Sequence, residues 1–147
     1  MDSKLQLKIQ KSYMLTVQPF TFNPVQENTY VVYNEKGQCG IIDPGCYFPE
    51  EREKLRSEIQ KLSLKPVLLL NTHCHLDHVF GNKFVAETWG LEPHFHEKEK
   101  PVFDFAPTSG DHVARNALWA GDAHACCTDI KMIIGAGAIR RARLALS

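Results

Sequence analysis

The run Thr72-His73-Cys74-His75-Leu76-Asp77-His78 places four side chains able to bind a metal, His73, His75, Asp77 and His78, within six residues. Side chains two apart in extended backbone point to the same side. His73 and His75 therefore face one way, Cys74 and Leu76 the other. Asp77 and His78 are neighbours and serve one centre only if the chain turns at that point. Imidazole nitrogen with carboxylate oxygen suits zinc, and less exclusively iron or manganese. A surface loop rich in histidine is the plain alternative. Three histidines and an aspartate directly behind an apolar run are hard to reach by chance, so metal binding is the stronger reading.

The apolar run is Val67-Leu68-Leu69-Leu70, which predicts a strand buried on both faces. Ligands gather beyond the carboxyl ends of such strands, where the histidines begin. Gly81 follows closely and permits tight backbone approach. Upstream, residues 14–22 alternate loosely and end at the turn signal Asn23-Pro24. Thr29-Tyr30-Val31-Val32-Tyr33 is a strand by content. Glu35-Lys36-Gly37 predicts a hairpin turn, with residues 39–42 as the partner strand, closed by Asp43-Pro44-Gly45. Pro49-Glu50-Glu51 opens a helix, since proline suits the first turn and acids its positive end. Leu55, Ile59 and Leu62 form its apolar face, the charges of 50–61 a solvated face, and Pro66 its stop. Residues 81–88 read as a short helix stopped at Trp89-Gly90, with Phe84 and Trp89 in the core. Residues 93–96 read as a last short strand and 97–105 as an amphipathic segment. His94 and His96 form a second H-x-H pair, read as structural or solvent-facing. A hairpin followed by strand–helix–strand–helix predicts an α/β (α+β layered) domain.

His73-x-His75-x-Asp77-His78 resembles the H-x-H-x-D-H signature of the metallo-β-lactamase superfamily. Asn28-Thr29-Tyr30, Asp43-Pro44-Gly45, Asn71-Thr72 and His78-x-x-Gly81-Asn82 are similar to segments of its small, bacterial glyoxalase II-like (hydroxyacylglutathione hydrolase-like) members. The resemblance spans about residues 14–109. It implies a four-layer αββα sandwich. It also implies that His73 and His75 help hold one metal and that Asp77 and His78 help hold a second, with Asp77 the catalytic candidate. Two zinc ions are expected in a complete site, with iron or manganese as alternatives. A water shared between such ions has its pKa lowered to about 7, and the hydroxide attacks a carbonyl or phosphoryl centre. The metals also stabilise the charge that develops. No protein nucleophile is then needed, which leaves Cys74 as a small buried side chain.

The resemblance also implies downstream ligands: a histidine in a G-H-[ST]-x-G-H-like segment, a bridging aspartate and a late histidine. After Gly110 the chain has His112, His124, Asp111, Asp122 and Asp129, none in such a context. Composition changes at the same place. Residues 1–110 hold 2 alanines, all 8 prolines and 13 of 14 aromatics, whereas residues 111–147 hold 9 alanines. The first part has 12 basic and 14 acidic residues, the second 5 and 3. We expect residues 1–110 to be the N-terminal part of a metallo-β-lactamase-like domain and 111–147 an atypical Ala-rich tail. The tail reads either as a small helical end or as a foreign continuation, such as one from a shifted reading frame. The sandwich is then expected to be truncated, and its open sheet face to invite self-association.

The whole chain of 147 residues is 44% hydrophobic and 23% charged, with 17 basic and 17 acidic residues. This balance argues against a nucleic-acid partner. No apolar run approaches the about 20 residues of a membrane helix, so no membrane partner is expected. Five cysteines without an apolar leader point to reduced thiols and a cytoplasmic location. Cys126 and Cys127, though adjacent, read as free. The expected function is metal-dependent hydrolysis of a small-molecule thioester or related ester. Two alternatives stand beside it. One is a phosphodiesterase or nuclease of the same superfamily, disfavoured by the lack of a basic stripe. The other is a non-catalytic, incomplete metal-binding fragment, favoured by the missing ligands.

Overall fold

Residues 14–109 are described by a computed structural model of the chain. The Ala-rich residues 111–147, with His112, His124, Asp111, Asp122, Asp129, Cys126 and Cys127, lie outside the described residues, as does the proposed boundary after Gly110.

The β-branched and aromatic segments pair as three successive antiparallel strands, β1 (Leu15–Phe22), β2 (Glu27–Asn34) and β3 (Gln38–Ile42). Polar residues shape both turns. Asn23 and Gln26 adopt φ 56° and 57°, and the Gln26 N–H donates to the Asn23 carbonyl at 3.1 Å. Gly37 (φ 78°) closes the second turn by donating to the Asn34 carbonyl at 3.0 Å. Two parallel strands, β4 (Lys65–Leu70) and β5 (Pro93–His94), complete a sheet ordered β1-β2-β3-β4-β5.

Helix α1 (Pro49–Lys61) makes the crossover from β3 to β4, and α3 (Asn82–Trp89) leads towards β5. Leu55 and Ile59 of α1, with Val85 and Ala86 of α3, pack on one sheet face against Phe20, Phe22, Val31, Cys39, Ile41 and Leu69. Phe84 and Trp89 pack at the margin of this core. Between α1 and α3 the chain forms the short helix α2 (Leu76–Val79); after β5 a 3₁₀ turn (Glu97–Glu99) leads into α4 (Lys100–Ser109). Phe103 and Ala106 of α4 pack with Cys74, Val79 and Phe95, so α4 backs the loop that carries the histidines. Val32 and Ile42 form a small cluster with Leu15, Tyr30 and Leu70, the alternate residues of the strands. The architecture is mixed α/β, with a single sheet among the described residues.

Three local expectations change. The helix stops before Pro66: Leu62 is its C-cap and Ser63 turns the chain at φ 53°. Leu62 therefore leaves the apolar face and is 37% exposed. Pro66 lies inside β4, beside the irregularity at Cys39/Gly40, where a missing N–H is tolerated. Val67 is 45% exposed, so burial on both faces applies only further along the strand. Finally, Glu51 is no solvated charge. Its carboxylate accepts from the backbone N–H groups of Asn23 (2.6 Å), Tyr47 (2.8 Å) and Phe48 (3.1 Å). It thus ties the start of α1 to the β1–β2 turn.

Candidate metal centre

The motif begins where β4 ends. His75 is the N-cap of α2, so the chain turns between His75 and Asp77. This turn lets adjacent Asp77 and His78 join His73 and His75. The ring centroids of His73 and His78 lie 3.9 Å apart, and those of His73 and His75 lie 4.8 Å apart. His78 Nε2 lies 3.3 Å from Asp77 Oδ2. Of the four residues singled out by spacing, His73 meets both His75 and His78, and Asp77 meets His78.

A four-residue helix cannot satisfy its own carbonyls. Two buried asparagines do so here. The Asn23 amide donates to the carbonyls of Asp77 (3.0 Å) and Gly45 (3.1 Å). The Asn71 amide donates to the carbonyl of His78 at 3.1 Å and to Asn82 Oδ1 at 3.1 Å. Glu99 accepts from the Cys74 N–H at 3.0 Å, which fixes the backbone between the two histidines. The Gly81 N–H donates to the Pro44 carbonyl at 2.6 Å. A Cβ at Gly81 would overlap that carbonyl and Cys46 Sγ, so the tight approach does require glycine.

Beneath the histidines lie two carboxylates that spacing alone does not single out. Asp43 Oδ1 accepts from the Thr72 N–H at 2.7 Å, and Oδ2 accepts from the Thr72 hydroxyl at 2.6 Å. The same Oδ2 lies 3.2 Å from His78 Nδ1, and Glu27 Oε1 lies 3.5 Å from it. Glu27, Asp43 and His78 each offer one donor atom, all within 4.8 Å of one another. Burial is the main reason that the Glu27 carboxyl is pushed up to about 8, with the charges of Asp43, Asp77 and Glu51 adding to it and the Thr29 hydroxyl opposing. These groups border an open cleft of about 410 Å³ that also reaches Gln26, Tyr30 and Thr72.

His94 and His96 stay apart from the centre. His94 Nδ1 lies 3.3 Å from the Leu69 carbonyl, and His96 Nδ1 accepts from the Lys98 N–H at 3.2 Å. Cys74 is fully buried and its thiol is pushed up to about 12, chiefly by burial. It has the character of a packing residue.

A sequence profile described as "Metallo-beta-lactamase superfamily" matches residues 22–120. The chain belongs to that superfamily. It is 33% identical over 92 residues to the probable metallo-hydrolase YqgX of Bacillus subtilis, covering 63% of this chain and 41% of that protein. It is 36% identical over 87 residues to the hydroxyacylglutathione hydrolase GloC of Haemophilus influenzae, covering 56% of this chain and 37% of that protein. The chain thus spans about two fifths of the length of these superfamily relatives. The crystal structure of the BLEG-1 B3 metallo-beta-lactamase superimposes with a TM-score of 0.63 at 25% identity, covering 79% of this chain and 55% of that one. The protein TTHA1623, solved in a di-iron-bound form, gives a TM-score of 0.55 at 35% identity, covering 63% of this chain and 44% of that one.

Proposed function

We propose that the chain binds a pair of metal ions through His73, His75, Asp77 and His78 and serves the hydrolysis of a small thioester or related ester. The approach of His73 to both His75 and His78, with Asp77 beside His78, supports the reading. Three imidazoles and a carboxylate are a donor set for zinc, and also for iron or manganese. The set fits the local structure. Its rings are already gathered, and the His78 ring has one nitrogen facing Asp77 and the other facing buried carboxylates. His73 and His75 are assigned to one ion, Asp77 and His78 to the other. A zinc ion held by these residues would supply Lewis-acid activation of water at neutral pH.

The remaining chemistry belongs to the chain's own residues. Asn23 and Asn71 hold the backbone of Asp77 and His78, so these ligands are oriented without help from the ion. Asp43 anchors Thr72, directly before His73. A thioester is the favoured substrate class because relatives include proteins named hydroxyacylglutathione hydrolase. The free, buried Cys39, Cys46 and Cys74 support a reducing, cytoplasmic setting.

Metal analysis of the purified chain, paired with an assay on a hydroxyacylglutathione thioester, tests the proposal. We expect about two ions per chain and turnover that Asp77→Ala abolishes. A chain that retains no metal overturns the whole reading. Retained metal without turnover overturns the hydrolase part and leaves a metal-binding protein.

A further inference from the structure

We propose that Glu27 is a positioning residue for His78: its buried carboxyl oxygen faces the Nδ1 edge of the ring and so commits Nε2 to the metal centre. The inference rests on the reading of His78 as a ligand. Its basis is a pair of atoms. Among the described residues, Glu27 Oε1 and His78 Nδ1 are the buried side-chain polar atoms that lack a hydrogen-bond partner, and they face each other at 3.5 Å. Buried polar atoms are rarely left unpaired. The two atoms lie within reach but form no hydrogen bond as the ring stands; a small rotation of the imidazole would aim an Nδ1–H at Glu27 Oε1 and pair both.

The geometry holds Glu27 in this place. It is the first residue of β2, paired with Phe22 at the hairpin end, and its side chain is wholly buried. Thr29 Oγ1 lies 3.0 Å from its Oε2. Gly45 provides the space the carboxylate occupies, since a Cβ there would overlap Oε2. On the far side of the imidazole, Nε2 faces Asp77 Oδ2. The Nδ1 edge of the ring thus faces Glu27 and Asp43, and the Nε2 edge faces Asp77. A carboxylate on the unligated nitrogen of a metal-binding histidine fixes tautomer and ring orientation. A small cation among Glu27, Asp43 and His78 would fit the same spacing. It would need a bare Nδ1, whereas the proposed arrangement needs a protonated one.

Two measurements on the full chain decide the matter. Long-range ¹⁵N–¹H spectra of the metal-free protein, with His78 assigned through His78→Gln, should show neutral His78 protonated on Nδ1. A proton on Nε2 overturns the proposal, and this readout needs no metal. Zinc titration against a chromophoric chelator should show one equivalent weakened about 10- to 100-fold in Glu27→Leu. Glu27→Asp, which keeps the carboxyl group but withdraws the oxygen, should weaken it too. Glu27→Gln, which keeps a carbonyl oxygen in place, should stay near wild type. Wild-type affinity in the Leu or Asp variant overturns the proposal, as does a loss in the Gln variant equal to that in Leu. A wild-type chain that binds no zinc overturns the functional reading instead, and the tautomer spectrum of Glu27→Leu beside wild type then decides the role of Glu27: an unchanged tautomer overturns it.

Discussion

The side-chain amides of Asn71 and Asn82 exchange two hydrogen bonds, Asn71 Nδ2 to Asn82 Oδ1 at 3.1 Å and Asn82 Nδ2 to Asn71 Oδ1 at 2.7 Å. The pair joins the end of β4 to the start of α3 and closes the loop that carries the metal-binding candidates. Both residues are buried, at 2% and 0% exposure. Asn82→Ala leaves the Asn71 amide short of a partner. We expect a loss of about 1–3 kcal/mol, read as a lower midpoint in urea unfolding.

Gly45 leads to a second prediction. A Cβ at this position would overlap Glu27 Oε2 and come within 2.6 Å of the Asp77 carbonyl and 2.8 Å of Asn23 Nδ2. Two of these neighbours are backbone or firmly bonded, so they have little room to yield. Gly45→Ala should cost about 1–3 kcal/mol and weaken zinc binding. Adding Glu27→Ala relieves one overlap of three, so a double-mutant cycle should show partial recovery of stability.

The Glu27 carboxyl gives a pH dependence. Its ordinary value of 4.5 is raised to about 8 in the fold, first by burial. Between these values the folded chain keeps a proton that the unfolded chain has released. Stability of the metal-free protein should therefore fall as pH rises through this window, by at most about 1.4 kcal/mol per pH unit from this group. Urea unfolding of wild type and Glu27→Gln across the window measures the effect. Parallel curves for the two proteins would remove Glu27 as its source.

The buried thiols make a fourth prediction. Burial pushes Cys39, Cys46 and Cys74 each up to about 12. At about pH 8 almost none of each is thiolate, the reactive form. These three should resist iodoacetamide in the folded chain and react after denaturation, as mapped by mass spectrometry. Cys74→Ala should leave any hydrolysis intact.

The run from His73 to His78 is legible because it is contiguous, and a single turn brings His78 against His73. The main strands are legible because alternation and β-branching reflect their burial directly. Glu27 and Asp43 are not legible in this way. They lie at the start of β2 and just past β3, and they reach His78 only through the register of three paired strands. Asp43 has a trace in Asp43-Pro44-Gly45, a turn directly after a strand. Glu27 looks like any strand-opening acid, since its burial is set by residues as far along the chain as His78. Leu62, Pro66 and Glu51 fail for the same reason: local rules assign them, and tertiary partners decide.

In this sheet the order of strands in space is the order of strands along the chain. Each new strand finds its neighbour already made, whether the chain refolds from denaturant or emerges from a ribosome. Such nearest-neighbour assembly keeps loop closures short and favours rapid folding. Asp43 and Glu27 would then stand in place before the histidines arrive, and the nascent chain would present its histidine loop onto a finished floor.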